Sequence, residues 1–365
     1  DIAKKSIVLL KNENSLLPLK KEGQKIALIG ALASDKTSPL GNWRIAAEDN
    51  TAVSVLEGMQ NYNGNKLSYS KGADLVMGKT IFTLELVINT TDKSEFPQAI
   101  QTAKDADVVV MVLGENGFHS GEGRSRTSLG LPGVQQELLE AVYMVNKNIV
   151  LVLNNGRPLT ITWADTHIPA ILETWQLGTQ SGNAIAQVLY GDYNPSGKLP
   201  MTFPKSVGQI PIYYNHKSNG RPNSSPSGVV FWSHYIDESN KPLYPFGHGL
   251  SYTTFSYNNL SVIKVSKESF KVSVIVKNTG NVKGKEVVQL YIRDLIGSIT
   301  RPVKELKGFE LISLEPNQEI KVSFNLTKDE LGFFNDKGEF IIEPGDFKVF
   351  VGGSSETVLE ANFKI

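Results

Sequence analysis

Two short, unbroken apolar runs constrain this chain more than any other feature. Residues 108–113 read VVVMVL and residues 149–153 read IVLVL, each bounded by Asp, Gly or Asn. A strand with one wet face alternates polar and apolar residues, so runs like these predict strands buried on both faces. Between them, residues 133–147 (GVQQELLEAVYMVNK) place Val134, Leu138, Leu139, Val142 and Val145 at helical spacing. Strand, helix and strand make one βαβ unit, right-handed by the usual rule, with both strands central in a sheet. Residues 25–30 (KIALIG) and 170–175 (AILETW) predict further strands, and residues 182–189 (GNAIAQVL) a further helix. Up to about residue 200 the chain therefore reads as α/β, a mostly parallel sheet with flanking helices.

The texture then changes. Pro195, Gly197, Pro200, Pro204, Pro211, Pro222 and Pro226 punctuate a polar stretch that predicts a connecting meander laid over a surface. Beyond it, residues 270–276 (FKVSVIV), 286–292 (EVVQLYI), 320–326 (IKVSFNL) and 346–351 (DFKVFV) carry β-type patterning, with turn sequences such as NTGN at 278–281 between them. Their spacing suits a seven-strand sandwich of about 100 residues. The expected organisation is an α/β domain over 1–210, a meander over 211–254 and an all-β domain over 255–365.

Composition narrows the classes of function. The 37 Lys plus Arg balance 37 Asp plus Glu, and no dense basic run occurs, so no nucleic-acid partner is expected. No window approaches the roughly eighteen apolar residues of a membrane span, so no membrane partner is expected. Zero cysteines exclude disulfides, cysteine nucleophiles and thiolate metal sites. The first methionine is Met59, so Asp1 reads as a mature or trimmed end rather than a translational start.

Chemistry is sought where the first central strand ends. Residues 114–132 (GENGFHSGEGRSRTSLGLP) leave the carboxyl edge of that strand, where open α/β sheets collect ligands. Glu122 lies between glycines that would let its carboxyl project into a cleft, and a carboxylic acid so placed can deliver a proton. The competing reading is a solvated loop whose acids pair with Arg124 and Arg126, and on the residues alone it is the commoner one. His119 has no second His, Asp or Cys at ligand spacing, so a hydrogen-bonding role is expected and no metal. The loop lacks the Lys-Ser/Thr of a phosphate cradle. Trp43, in residues 41–44 (GNWR), follows the first strand of the sheet; core packing is the default for it, and sugar stacking stands level with that only once a carbohydrate cleft is assumed. Glycosylation sequons stand at Asn89, Asn223, Asn259 and Asn325.

Six segments in order resemble the C-terminal portion of a glycoside hydrolase family 3 β-glucosidase of the bacterial periplasmic type. They are residues 6–12 (SIVLLKN), 41–43 (GNW), the 114–132 loop, 193–204 (YNPSGKLPMTFP), 208–216 (GQIPIYYNH) and 243–255 (LYPFGHGLSYTTF). Residues 302–309 (PVKELKGF) extend the likeness into the β half. The resemblance implies an α/β sandwich followed by a fibronectin type III-like domain, with an N-terminal TIM-like barrel that would lie before Asp1. It makes Glu122, in the SGEG of residues 120–123, the general acid/base and Glu115 the more structural carboxylate. It also implies Trp43, Arg44, His119 and Ser120 as candidate substrate-binding residues.

The implied reaction is retaining hydrolysis of terminal non-reducing β-D-glucosyl residues, without metal or organic cofactor. Its nucleophile would be an aspartate on the barrel, in the same or a separate polypeptide, leaving this chain inactive alone. The implied substrate is a β-linked oligosaccharide or an aryl glucoside, and the implied location periplasmic or secreted. A homodimer is the default assembly. The alternatives are a noncatalytic carbohydrate-binding or scaffolding protein, and the same fold acting on β-xylosides.

Overall fold

The computed structural model describes residues 1–221 and 230–365. Pro222, Pro226 and the Asn223 sequon lie outside the described residues. Two compact units result, one of residues 1–197 and 204–208, the other of residues 198–203 and 209–365.

The first unit is built on a six-stranded sheet. Its strands are β1 (Val8–Asn12), β2 (Glu22–Ile29), β3 (Gly64–Ser70), β4 (Val108–Gly114), β5 (Ile149–Asn154) and β6 (Ala170–Glu173), in the order β1-β6-β5-β4-β2-β3. All neighbours are parallel except β1, which runs antiparallel to β6 at one edge. Every residue of β4 and β5 is buried, as their unbroken apolar runs require. Each such Val, Leu or Ile removed from water contributes about 1.5–3 kcal/mol.

The helices are α1 (Ile2–Ser6), α2 (Val55–Gln60), α3 (Phe96–Lys104), α4 (Gln135–Val145), α5 (Thr162–His167) and α6 (Ser181–Leu189). Leu138, Leu139 and Val142 of α4 are buried, as expected, whereas Val145 is 40% exposed because the helix ends on it. A capping box between Ser54 and Glu57 starts α2. That helix meets α6 through two glycines: a Cβ on Gly58 would stand 2.2 Å from the Gly182 carbonyl oxygen, and one on Gly182 1.8 Å from that of Ser54.

The strand order positions the site. From β2 the chain steps to β3 on one side, whereas β4, β5 and β6 are laid down on the other. The loops leaving adjacent β2 and β4 therefore diverge, which is the switch point where open α/β sheets hold ligands.

The second unit is an antiparallel sandwich of β7 (Phe255–Ser266), β8 (Ser269–Asn278), β9 (Gly284–Asp294), β10 (Glu305–Leu314), β11 (Glu319–Leu326), a short helix α7 (Lys328–Leu331), a hairpin β12 (Phe333–Phe334) and β13 (Phe340–Ile341), then β14 (Asp346–Gly352) and β15 (Glu360–Lys364). A four-stranded sheet, β10-β9-β14-β15, and a three-stranded one, β11-β8-β7, supply the seven strands expected. Phe270, Val272, Val274 and Val276 of β8 share one core with Val288, Leu290 and Ile292 of β9 and Phe347, Val349 and Val351 of β14. The predicted turn at 278–281 is anchored by buried Asn278, whose Nδ2 donates to the carbonyls of Val282 at 2.8 Å and Leu314 at 3.1 Å. The stretch before the sandwich is pinned at its ends, where Phe203 is fully buried and bridges Tyr244 and Leu199 donates its N–H to the His248 carbonyl at 2.8 Å, while most described residues of 211–243 are exposed.

Candidate active site

The loop after β4 is closed at its base by one side chain. Gln135, the first residue of α4, accepts from Gly114 N–H at 3.0 Å and donates to the carbonyls of Gly114 at 2.8 Å and Pro132 at 2.9 Å. Gly114 itself has φ +136, and a Cβ there would lie 2.2 Å from the Asn154 carbonyl oxygen on β5. Only glycine allows the strand to end so close to its neighbour.

Within the root of the loop, Glu115 is fully buried. Its Oε1 meets Arg126 Nη1 at 2.6 Å and Arg157 Nε at 3.1 Å, and its Oε2 accepts from Gly156 N–H at 3.3 Å. Arg157, from the loop after β5, donates onward to the carbonyls of His119 and Arg124. A carboxylate with two guanidinium partners is a buried charge with its counter-charges in place, so it ties the two loops together.

His119 folds back within the loop, its Nδ1 accepting from Asn116 N–H at 2.9 Å. Burial, and then the charges of Arg126, Arg157 and Arg124, push its pKa down to about 4. At neutral pH the ring is uncharged, and the bond at Nδ1 leaves its proton on Nε2.

The tip is different. Asn42, from the loop after β2, donates its Nδ2 to the Ser120 carbonyl. Ser120 is buried, and a Cβ on Gly156 would come 1.9 Å from its Oγ. Gly121 has φ +118 and packs on the Asn42 amide. The next residue, Glu122, is exposed, and none of the described residues pairs with it. Gly123, at φ +70 with open space around it, completes a turn closed by Arg124 N–H on the Gly121 carbonyl at 3.2 Å. The backbone ahead of Glu122 is therefore gripped while its carboxyl stands in solvent. Neither arginine expected to pair with the loop acids takes Glu122: Arg126 serves Glu115, and Arg124 reaches the carbonyls of Phe82 and Leu84.

An aromatic wall stands beside the tip. Trp43 is 61% exposed, which rules out core packing, and meets Phe82 edge-on at 6.5 Å. Phe82 in turn meets buried Phe118 at 5.7 Å, and the Arg44 guanidinium lies 4.2 Å from the Phe118 ring centre. Arg44 also pairs with Asp49 at 3.1 Å. A cleft of about 410 Å³ borders the loop, lined among others by Glu85, Phe118, His119, Gly123, Arg124 and Arg126. The structure thus brings Trp43, Arg44, His119, Ser120 and Glu122 to one edge of the sheet.

Several contributors escape sequence reasoning. Phe82 lies in an irregular segment and reaches the wall because Arg124 holds that segment's backbone. Glu173 ends β6 fully buried, accepting from Trp175 N–H at 2.8 Å and Asn155 Nδ2 at 3.0 Å. Burial, with the charge of Glu115 adding to it, pushes the Glu173 carboxyl up to about 8. Of the sequons, Asn89 is buried and hydrogen-bonded to Asp74 and Asp92, whereas Asn259 and Asn325 are exposed.

Known proteins share this fold. Residues 7–252 match the glycosyl hydrolase family 3 C-terminal domain, and residues 286–355 match a fibronectin type III-like domain. A periplasmic beta-glucosidase of Salmonella typhimurium is 44% identical over all of this chain and 49% of its own length. A beta-xylosidase of Formosa agariphila is 42% identical over 98% of this chain and 48% of its own. The crystal structure of a beta-glucosidase from Listeria innocua in complex with isofagomine superposes with a TM-score of 0.88 at 38% identity, covering 100% of this chain and 48% of that one. The chain spans about half the length of the curated relatives it matches. It belongs to glycosyl hydrolase family 3, carrying that family's C-terminal α/β domain followed by a fibronectin type III-like domain.

Proposed function

We propose that this chain supplies the general acid/base, Glu122, of a retaining β-glucosidase-type hydrolase whose nucleophile, an aspartate, is carried by a barrel domain in the same or a separate polypeptide. The observation that carries the reading is a free carboxyl on a gripped backbone, at the sheet's switch point and beside an exposed tryptophan. In the first step Glu122 gives its proton to the glycosidic oxygen while the barrel aspartate attacks the anomeric carbon and the alcohol departs. In the second, Glu122 takes a proton from water, whose oxygen displaces the aspartate and frees the sugar with retained configuration. The two carboxyl groups would stand about 5–5.5 Å apart.

Trp43 offers a face to the sugar ring, and Arg44, Ser120 and the neutral His119 offer polar contacts. The similarity to a beta-xylosidase supports a second reading, in which the same machinery acts on β-xylosides. Kcat/KM for aryl β-glucoside against aryl β-xyloside separates the two. Similarity to a periplasmic relative supports a periplasmic or secreted location.

The test is activity of the chain alone and joined to its barrel. The chain alone should leave aryl β-glucosides intact, and the assembled enzyme should hydrolyse them. In the assembled enzyme Glu122→Ala should slow poor leaving groups far more than activated ones. Hydrolysis by the isolated chain that vanishes in Glu122→Gln would place the nucleophile here and overturn the division of labour.

A further inference from the structure

We infer that Asn42 is a positioning residue for Glu122: its amide fixes the Ser120–Gly121 backbone from which the acid projects. This rests on the assignment of Glu122 as acid/base. Asn42 is 7% exposed, and its Nδ2 donates to the Ser120 carbonyl. The contact leaves no spare room, since a Cβ on Gly121 would fall 1.7 Å from that same Nδ2. Ser120 also packs closely on Gly156, so the two residues before Glu122 are in contact with the loops after both β2 and β5. After Glu122 the packing is open at Gly123, where a Cβ would have nothing within 4 Å, and the backbone is next held at Arg124, through its N–H on the Gly121 carbonyl and Arg157 on its own carbonyl.

Asn42 is held through its donor end. Its Oδ1 is buried and meets no hydrogen-bond partner among the described residues. The side chain therefore makes one polar contact, and that contact is to the backbone that aims the acid. Asn42 also immediately precedes Trp43 and Arg44 in the sequence, so the segment that forms the aromatic wall is the segment that steadies the proton donor. A misplacement of about 1 Å in a reacting group can cost on the order of a hundredfold in rate.

The test uses the enzyme assembled with its barrel. Asn42→Ala, Glu122→Ala and the double variant are compared on cellobiose and on 2,4-dinitrophenyl β-glucoside. Asn42→Ala should lower kcat/KM on cellobiose by about tenfold to a hundredfold, and on the activated substrate by less than about threefold. Added to Glu122→Ala, it should change either rate by no more than about twofold, because its effect passes through the missing acid. Equal losses on the two substrates, or a full additional loss in the double variant, would overturn the inference. Should Asn42→Ala not fold, Asn42→Asp keeps the size, replaces the donor by an acceptor and is judged by the same criteria. Leaving-group dependence absent from Glu122→Ala itself would overturn the assignment of Glu122, and this inference with it. Dependence present there and absent from Asn42→Ala would overturn this inference alone.

Discussion

The root and the tip of the loop after β4 hold two glutamates in opposite states. At the root Glu115 is fully buried, joined to Arg126 and Arg157, which hold carbonyls of the loop after β4, and accepts from Gly156 N–H of the loop after β5. At the tip Glu122 is exposed, between a packed Gly121 and an open Gly123. The two acids lie within one short segment, so their difference comes from what surrounds them and not from their chemistry. Burial with counter-charges makes a carboxylate a fastener, whereas a free carboxyl on a restrained backbone can meet a substrate. Stability should therefore reside at the root and proton transfer at the tip, and substitutions can separate the two.

The largest effect is expected at the tip. Glu122→Ala in the assembled enzyme should cost about a hundredfold to ten-thousandfold on poor leaving groups, with the melting temperature unchanged. Steady-state kinetics beside calorimetry checks both halves of that statement. At the root, Glu115→Ala leaves two arginines facing a vacated carboxylate position and should destabilise the α/β unit by about 3–5 kcal/mol, read by urea unfolding.

Glu173 sharpens the same contrast through pH. Its folded pKa, about 8, lies above the ordinary value of 4.5, so the folded state holds the proton more tightly than the unfolded chain. Its favourable share is present below pH 4.5 and is lost as pH rises toward 8. Glu173→Gln should remove that loss, gaining on the parent by up to about 1.4 kcal/mol per pH unit across this window. Unfolding curves at several pH values decide it, and parallel curves for parent and variant would contradict it.

Smaller effects are expected where tip and wall meet. Gly121→Ala must leave a positive φ and push against Asn42, at a cost of about 1–3 kcal/mol and with some loss of activity. Trp43→Ala should move stability by no more than about 0.5 kcal/mol while weakening sugar binding, measured as a rise in KM.

The sequence carried some of this and hid the rest for physical reasons. The runs at 108–113 and 149–153 announce buried strands because no polar residue interrupts them, and the period of residues 133–147 announces α4. Strand β3 is nearly silent: it is an edge strand whose burial alternates between half-covered and exposed positions, so little hydrophobic patterning is needed. Helix α2 is only six residues long, too short to show a period, and its start is fixed by the Ser54–Glu57 capping box. At the site, glycines around Glu122 could be read as freedom for the carboxyl, but Gly121 proves to be a close-packing position against Asn42. Glu173 could not be told from a solvated acid, because its burial depends on β1 pairing with β6 across a long sequence separation. Arg157, Asn155 and Phe82 likewise act only through neighbours that the fold supplies.

The most direct test of the central claim is the anomeric configuration of the product formed when azide is supplied to Glu122→Ala in the assembled enzyme. If Glu122 is the acid/base, azide attacks the glycosyl-enzyme from the face that water would use, and an activated β-glucoside yields β-glucosyl azide. If Glu122 were instead the nucleophile, azide would occupy the opposite face and yield the α-azide, contradicting the role assigned to the tip.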